Sequence, residues 1–182
     1  NVVLRGWFEV CSEKIGYNFK SNDDTLCSDK KWFPYNKGGG YRKWYGNNYD
    51  VVNWQHGGND IHVFNKIPLD FQSAPVRAKR FYFKSGITYG LITSASFSAR
   101  NIDGGFVFDV GGSMLFPPEN LKLYILGFLS TKLAQTYLNT INPTLNYQVG
   151  DIGKLPIIVD NSCKPQIDAF VQQNIGLSKA DW

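Results

Sequence analysis

Short apolar runs separated by glycine-rich turns dominate the first 115 residues. The turns lie at Gly38–Gly40, Gly57–Asn59, Asp103–Gly105 and Gly111–Gly112. The runs between them are rich in β-branched and aromatic residues, which favours strands. The predicted strands are Val2–Val10, Val51–Trp54, Ile61–Phe64, Arg80–Phe83, Tyr89–Thr93 and Phe106–Val110.

The apolar periodicity changes to helical spacing after Pro118. Pro118 suits a helix start, and apolar residues continue to Ile141, just before Pro143. Leu126, Leu129, Leu133 and Tyr137 form one stripe, which predicts a buried face on a long helix. A shorter helix is predicted from Pro165 to about Ile175, with Ile167, Phe170 and Val171 facing inward. The order indicates an α+β fold: a mixed or antiparallel twisted sheet of short strands packed by one long and one shorter C-terminal helix.

Length and composition are those of a globular chain. The 182 residues are 43% hydrophobic and 19% charged, enough to build a core. No apolar run approaches the roughly 18–20 residues that span a bilayer, and Arg5 and Glu9 interrupt the apolar residues at the N terminus, so neither a membrane segment nor a signal peptide is predicted. A start at Asn1 and a single methionine, Met114, predict a fragment of a longer protein.

Cysteine and histidine spacing excludes two kinds of site. Cys11, Cys27 and Cys163 are odd in number and widely spaced, which argues against a disulfide framework and a zinc site. We therefore expect a cytoplasmic location. His56 and His62 share a Gly/Asn-rich segment without nearby cysteines, and we expect a surface loop there and no metal site.

Positive charge is concentrated in the first part of the chain. Residues 1–100 hold 14 Lys/Arg and 8 Asp/Glu, a net +6, whereas residues 101–182 hold 5 and 7, a net −2. Two runs contain five cations each and no acid: Arg77, Lys79, Arg80, Lys84 and Arg100 in one, and Lys30, Lys31, Lys37, Arg42 and Lys43 in the other. Such runs are often only solvated faces, but two of them beside aromatics indicate an anionic partner.

The segment Trp32–Trp54 holds eight aromatic residues in 23, interleaved with cations and asparagines. Cations can contact phosphates, amide and guanidinium groups can read base edges, and aromatic faces can stack on bases. About half of these rings are expected in the core, with Phe33 and Trp54 the first candidates.

No catalytic set is predicted. Both histidines lie in one segment, so a Ser-His-Asp arrangement is not indicated. Phe106–Gly112 imitates a strand with a glycine-rich cofactor loop, but no helix follows directly. Asn142–Leu145 imitates an Asn-Pro-Pro-Tyr loop but lacks its second proline and its aromatic residue. We assign neither string a catalytic role.

These segments resemble the C-terminal part of adenine-specific DNA methyltransferases, most closely that of the BREX phage-defence system and of related fused restriction–modification enzymes. The resemblance is carried by Lys31–Gly39 with Tyr41–Asn47, by Gly86–Thr88 with Ser96–Arg100, by Asn142–Ile152 with Leu155–Ile157, and by Asn1–Val10. It covers nearly the whole chain, and Lys31–Asn47 is its most specific part.

The resemblance implies a target-recognition domain that binds double-stranded DNA. It implies residues 1–160 as that domain and residues 161–182 as a helical appendage. It also implies a parent enzyme that uses S-adenosylmethionine to methylate adenine N6, with its cofactor and catalytic loops in an upstream domain. Other defence-system subunits are further expected partners.

The candidate DNA contacts come from the cationic runs and the aromatic segment. Arg42 and Arg100 are the candidates for bidentate base readout because each lies beside a turn. The full predicted set is Lys31, Tyr35, Lys37, Tyr41, Arg42, Lys43, Asn47, Arg77, Lys79, Arg80, Lys84, Ser96 and Arg100.

Two other functions stay open at this point. A protein-interaction domain of a multi-subunit assembly would use the aromatic segment to dock on a partner. A carbohydrate-binding module would also use Trp, Tyr and Asn, but it predicts an extracellular chain with less positive charge.

Overall fold

The computed structural model describes residues 3–68, 70, 76–92 and 96–182. Val2 and Thr93, at the ends of two predicted strands, lie outside the described residues. The strands are β1 (Leu4–Gly6), β2 (Trp32–Asn36), β3 (Asp50–Asn53), β4 (Gly86–Tyr89), β5 (Ala99–Ile102), β6 (Val107–Phe108) and β7 (Met114–Leu115). The helices are α1 (Asn22–Leu26), α2 (Gln55–Asn65), α3 (Glu119–Leu129), α4 (Lys132–Ile141), α5 (Val149–Ile152) and α6 (Lys164–Asp181). Two small sheets of short strands with helices confirm the predicted α+β class.

The chain forms two compact units. The first takes the described residues of Asn1–Lys37, Asn48–Ser85 and Asp103–Asp109; the second takes those of Gly38–Asn47, Gly86–Ile102 and Val110–Trp182. Residues 161–182 belong to the second unit, where α6 packs along α3. The functional division at residue 160 stays a prediction.

A mixed four-stranded sheet organises the first unit, in the order β1-β3-β2-β6. β3 pairs antiparallel with β1 and with β2, and β2 pairs in parallel with β6. Phe33 and Trp54 are buried in its core, as predicted, together with Val52, Tyr82 and Phe83.

The second unit contains the antiparallel sheet β5-β4-β7 and the helices α3 to α6. Ile87 and Tyr89 from β4 pack with Leu126 and Leu129 from α3 and with Val171 from α6 in its core. Apolar residues of the sheet and of the helices therefore share one buried cluster.

The predicted helix from Pro118 to Ile141 is two helices. The side chain of Thr131 accepts a hydrogen bond from the backbone N–H of Ala134 and caps the start of α4, because a side-chain cap there satisfies a helix-start donor. The new helix buries Ala134 and Leu138, so Leu133 is 55% exposed and the predicted stripe does not continue past the break.

Two predicted strands are wrong. Ile61–Phe64 lies in α2, where Ile61 is buried in the first unit's core and Val63 and Phe64 are exposed. Arg80–Phe83 overlaps a single 3-10 turn, Lys79–Phe81. His62 is buried, with Nδ1 2.7 Å from the Pro68 carbonyl oxygen, so this histidine is not in a surface loop.

Candidate nucleic-acid interface

Seven of the predicted DNA contacts lie in the first unit, and four of them lie in or beside the 3-10 turn Lys79–Phe81. We call this set, Arg77, Lys79, Arg80 and Lys84, the basic turn. Arg80 and Lys84 both lie over the ring of Phe81, at 4.9 Å and 5.5 Å from its centroid. The structure therefore brings Arg80 and Lys84 together over one aromatic ring, which sequence patterning alone did not indicate.

Three cations of the basic turn face solvent. Arg77, Arg80 and Lys84 are exposed, and among the described residues no carboxylate forms an ion pair with them. Lys79 is only partly exposed: its Nζ donates to the Gly57 carbonyl at 3.3 Å and lies 5.5 Å from the centroid of the Trp54 ring. Burial lowers the pKa of Lys79. The exposed cations are available to phosphates, whereas Lys79 contributes to packing.

The remaining predicted contacts of the first unit are dispersed. Lys31 Nζ lies 5.8 Å from the centroid of the Trp32 ring. The Tyr35 hydroxyl bonds to the Asp109 carboxylate, and burial together with this negative charge raises the pKa of Tyr35. Lys37 is exposed, and its positive charge partly offsets the burial that raises the pKa of Asp50. The acidic surroundings of Tyr35 disfavour a phosphate at that position.

The other six predicted contacts lie in the second unit, four of them in the segment Gly38–Asn47, which we call the glycine loop. Asn47 donates both amide protons of its side chain, at 3.0 Å to the Gly38 carbonyl and at 2.8 Å to the Gly40 carbonyl. Gly38 has φ +92°, and a Cβ there would lie 2.3 Å from the Gly111 carbonyl oxygen. Asn47 and Gly38 therefore hold the loop in shape.

Both cations of the glycine loop are engaged within the protein. Arg42 Nη2 lies 2.6 Å from Asp181 Oδ2, its Nε donates to the Tyr45 carbonyl at 3.2 Å, and its guanidinium lies 4.8 Å from the centroid of the Trp182 ring. Lys43 Nζ donates to the Ser130 carbonyl at 2.8 Å. Base readout by Arg42 would require its release from Asp181 and Trp182.

Arg100 is 1% exposed, on β5. Its Nη2 donates to the Gly38 carbonyl at 2.7 Å, while Nε and Nη1 have no hydrogen-bond partner among the residues that the structure describes. Burial lowers the pKa of Arg100 to about 10. Direct base readout would require this guanidinium to leave its buried position, so the structure places Arg100 as a support of the glycine loop.

Ser96 lies at a polar cavity of about 370 Å³, exposed to solvent. Its other lining residues are Gln135, Asn139, Pro143, Thr144, Leu145 and Tyr147. Both polar atoms of the Gln135 side chain have hydrogen-bond partners. Its Oε1 accepts from the Phe97 N–H at 2.6 Å, and its Nε2 donates to Asn139 Oδ1 and to the Tyr147 hydroxyl.

The two strings that imitate methyltransferase loops have structural roles here. The Asn142 amide donates to the Asn146 carbonyl and to Asp151, and its Oδ1 accepts from the backbone N–H and the hydroxyl of Thr144. Gly111 and Gly112 lead into β7 and not into a helix, so the strand–loop–helix arrangement of a glycine-rich cofactor loop is not formed at this position. Neither string fits a cofactor or an adenine amino group.

Three further observations describe the chain as a whole. Within the residues that the structure describes, no helix combines the length and apolar character needed to cross a membrane. Over the same residues, His, Cys, Asp and Glu side chains form no group that could hold a metal ion. Cys11, Cys27 and Cys163 are free and exposed.

Comparison with known proteins finds two adenine-specific methyltransferases. The chain is 35% identical to adenine-specific methyltransferase PglX of Lacticaseibacillus casei (strain Zhang), across all of the chain and 15% of that protein. It is also 35% identical to adenine-specific methyltransferase BrxX of Escherichia coli O9:H4 (strain HS), across all of the chain and 14% of that protein. No protein-family profile matches the chain. The chain thus corresponds to a small region of much longer methyltransferases.

Proposed function

We propose that this chain is the DNA target-recognition region of a site-specific DNA adenine-N6 methyltransferase. The observation that carries the proposal is the 35% identity to PglX and BrxX over the full length of the chain, since both are named adenine-specific methyltransferases. A methyltransferase that acts on one adenine in a duplex needs sequence readout and access to the target base. We assign readout to this region and base access to the rest of the parent.

The basic turn supports the proposal. Arg77, Arg80 and Lys84 present positive charge to solvent without a neighbouring ion pair among the described residues. Cations of this kind release counterions when they contact DNA phosphates, which supplies affinity that does not depend on sequence. Phosphate contacts also fix the register of a protein on the duplex. The basic turn is therefore our proposed phosphate contact.

The parent enzyme would supply the chemistry. In this proposal S-adenosylmethionine and the catalytic loop belong to an upstream domain of the same longer, cytoplasmic protein, because neither Phe106–Gly112 nor Asn142–Leu145 has the full pattern of such a loop. The parent would act in phage defence of the BREX type or in restriction–modification. Its chain would bind double-stranded DNA and could contact other subunits of the defence system.

A salt titration of DNA binding tests the proposal. The 182-residue chain is mixed with a fluorescently labelled 30-base-pair duplex of randomised sequence, and anisotropy is recorded from about 50 to 200 mM salt. We expect the logarithm of the affinity to fall linearly with the logarithm of the salt concentration. The variants Arg80→Ala and Lys84→Ala should each weaken binding and reduce the slope by roughly one unit.

Lys132→Ala is the matched control, because Lys132 is an exposed lysine on α4 outside the basic turn. This variant should keep the wild-type slope. Binding that does not depend on salt, or equal losses in all three variants, would contradict the proposed interface.

Exposed aromatic residues in the first unit favour one second candidate, a protein-interaction function. Trp7 and Phe8 are 49% and 68% exposed, and their rings make an edge contact at 5.8 Å. The carboxylates of Glu9 and Asp109 lie close enough to act on that of Asp50, and their negative charges would repel DNA phosphates. Trp7→Ala should leave DNA affinity unchanged and weaken association with a partner subunit if this function is present.

A further inference from the structure

The last turn of α6 contacts the glycine loop through three residues. The Ser178 hydroxyl lies 3.1 Å from the Lys43 carbonyl and 3.2 Å from the Tyr45 carbonyl, so both carbonyls share its proton. Asp181 pairs with Arg42 at 2.6 Å, and Trp182 stacks on the same guanidinium. These contacts join residues that are more than 130 positions apart in the chain.

The packing at this contact is close. A Cβ at Gly46 would lie 2.6 Å from Arg42 Cδ and 2.8 Å from the Trp182 ring, and Gly46 has φ +120°. At the other end of the loop, Arg100 and Asn47 both donate to the Gly38 carbonyl. In the middle, the backbone of Trp44 bonds to β5, with N–H to the Ala99 carbonyl at 3.0 Å. Both ends and the middle of the loop are therefore held.

Tyr41 is more exposed than Trp44 and Tyr45, the other aromatic residues of the glycine loop. It is 52% exposed and follows Gly40, where a Cβ would meet nothing within 4 Å. The polar side chains of Arg42, Lys43 and Asn47 donate hydrogen bonds to other residues of the chain. The loop is thus a rigid support with an aromatic ring at its surface.

We infer that Tyr41 contacts DNA and that Ser178, Asp181 and Trp182 at the end of α6 are positioning residues for it. This inference rests on the proposed function. An aromatic ring can stack on a base or pack against a sugar, and a ring held in place by its backbone loses less conformational entropy on binding. Arg42 and Lys43, which sequence patterning predicts as direct contacts, hold the loop instead.

Substitution of Ser178 tests positioning without changing any charge. Hydrogen–deuterium exchange of the glycine loop is measured for the wild-type chain, Ser178→Ala and Ser178→Thr, with Gln173→Ala on the exposed face of α6 as control. We expect faster exchange of residues 38–47 in Ser178→Ala, and wild-type exchange in Gln173→Ala. Ser178→Thr keeps the hydroxyl and should restore protection. Unchanged exchange in Ser178→Ala would overturn the positioning role, whatever the DNA result.

The second measurement is affinity for the randomised 30-base-pair duplex with one unpaired base at its centre, because a ring can stack only on a base that the helix leaves unpaired. Loss of an aromatic stack of about 1–3 kcal/mol predicts that Tyr41→Ala binds this duplex about 5- to 150-fold more weakly. Ser178→Ala should bind the duplex at least about threefold more weakly than the wild-type chain. The double variant, Tyr41→Ala with Ser178→Ala, should bind no more weakly than Tyr41→Ala alone, because the effects of coupled residues are not additive.

The outcomes separate this inference from the proposed function. Additive losses, or Ser178→Ala binding as tightly as wild type, would overturn the inference while the salt dependence of the basic turn still supports the function. Tighter binding by Ser178→Ala would also overturn it, since this result would mean that release of Arg42 creates the DNA contact. A wild-type chain that does not bind the duplex would overturn both.

Discussion

Gly38 shows how much the glycine loop depends on one backbone position. Its φ of +92° is one that side-chain-bearing residues rarely adopt, and a Cβ there would lie 2.3 Å from the Gly111 carbonyl oxygen. Its own carbonyl accepts from Arg100 and Asn47. A side chain at this position would therefore disturb the backbone conformation and two hydrogen bonds together.

We expect Gly38→Ala to reduce the free energy of unfolding by about 1–3 kcal/mol, the usual cost of a strained backbone position. Gly40→Ala is the matched control, because a Cβ at Gly40 meets nothing within 4 Å. Urea denaturation of both variants checks this. Equal stability of the two variants would mean that the loop relaxes around the new methyl group.

Arg100 illustrates why a charged residue in a basic run need not face a ligand. It ends the same acid-free run that contains the basic turn, yet it lies in the second unit and is buried. A buried guanidinium is costly unless its donors are bonded, and here Nη2 donates to the Gly38 carbonyl while Nε and Nη1 find no partner among the described residues. Charge counting along the chain could predict the exposed cations of the basic turn, but not this buried position, which depends on strand pairing.

Buried phenols make stability depend on pH in the alkaline range. Burial raises the pKa of Tyr82 above its ordinary value of 10.0. The folded state therefore keeps a proton that the unfolded state releases above pH 10, so the stabilisation is complete below pH 10 and is lost as pH rises.

Each such phenol contributes a slope of up to about 1.4 kcal/mol per pH unit above pH 10. We expect the free energy of unfolding of Tyr82→Phe to fall less steeply between pH 9 and 11 than that of the wild-type chain. Urea melts across this range measure the difference. The variant also loses the hydroxyl's bond to the Arg77 backbone, which lowers stability at every pH, so the slope is the informative quantity. Identical slopes would show that Tyr82 ionises normally in the fold.

At the scale of elements, the break between α3 and α4 decides which leucines stabilise the second unit. Leu129 is 2% exposed in the core, whereas Leu133 is 55% exposed one turn beyond the break. We expect Leu129→Ala to cost about 2–5 kcal/mol and Leu133→Ala about 0.5 kcal/mol or less. Urea melts of the pair check the difference. A similar loss in both variants would mean that one continuous helix forms in solution.

The helical segments could be predicted from the sequence because their apolar residues recur at helical spacing over many residues. The break could not, since it depends on Thr131 bonding to the Ala134 N–H in competition with continued helix. Similarly, α6 runs to Asp181, beyond its predicted end near Ile175, because Ser178 and Asp181 bond to the glycine loop. Contacts made far along the chain are not visible in local periodicity.

The two wrong strands have a related cause. Ile61, Val63 and Phe64 have side chains typical of strands, but packing of Ile61 beside Trp54 in the core is compatible with helix α2. Conversely, no strand is predicted at β2, which contains Pro34 and lies in the aromatic segment. In the structure Phe33 of β2 pairs opposite Val52 of β3. Tertiary packing outweighed local propensity in both places.

At the scale of the whole molecule, eight of the thirteen predicted contacts fall into two groups with different exposure, the basic turn and the glycine loop. The basic turn presents cations to solvent, whereas the cations of the glycine loop bond inward and leave Tyr41 outside. Phosphate contacts position a protein and base contacts specify sequence. In the proposed function, the basic turn would therefore supply affinity that does not depend on sequence, whereas Tyr41 of the glycine loop would add affinity together with a preference among bases.

Methylation mapping in cells that carry the parent enzyme tests this division. A variant with Arg80→Ala and Lys84→Ala should lower methylation at all recognised sites in the same proportion, because phosphate contacts carry no sequence information. Tyr41→Ala should lower methylation at all sites and also change the relative methylation of different sites, because stacking contributes at every sequence but differs in strength between bases. Lys132→Ala serves as the control and should preserve both level and pattern. A change of the recognised sequence in the basic-turn variant would mean that these cations contact bases. A uniform loss of methylation at all sites in Tyr41→Ala would mean that this ring makes no contact that distinguishes sequences. Either result would contradict the roles assigned to the two groups.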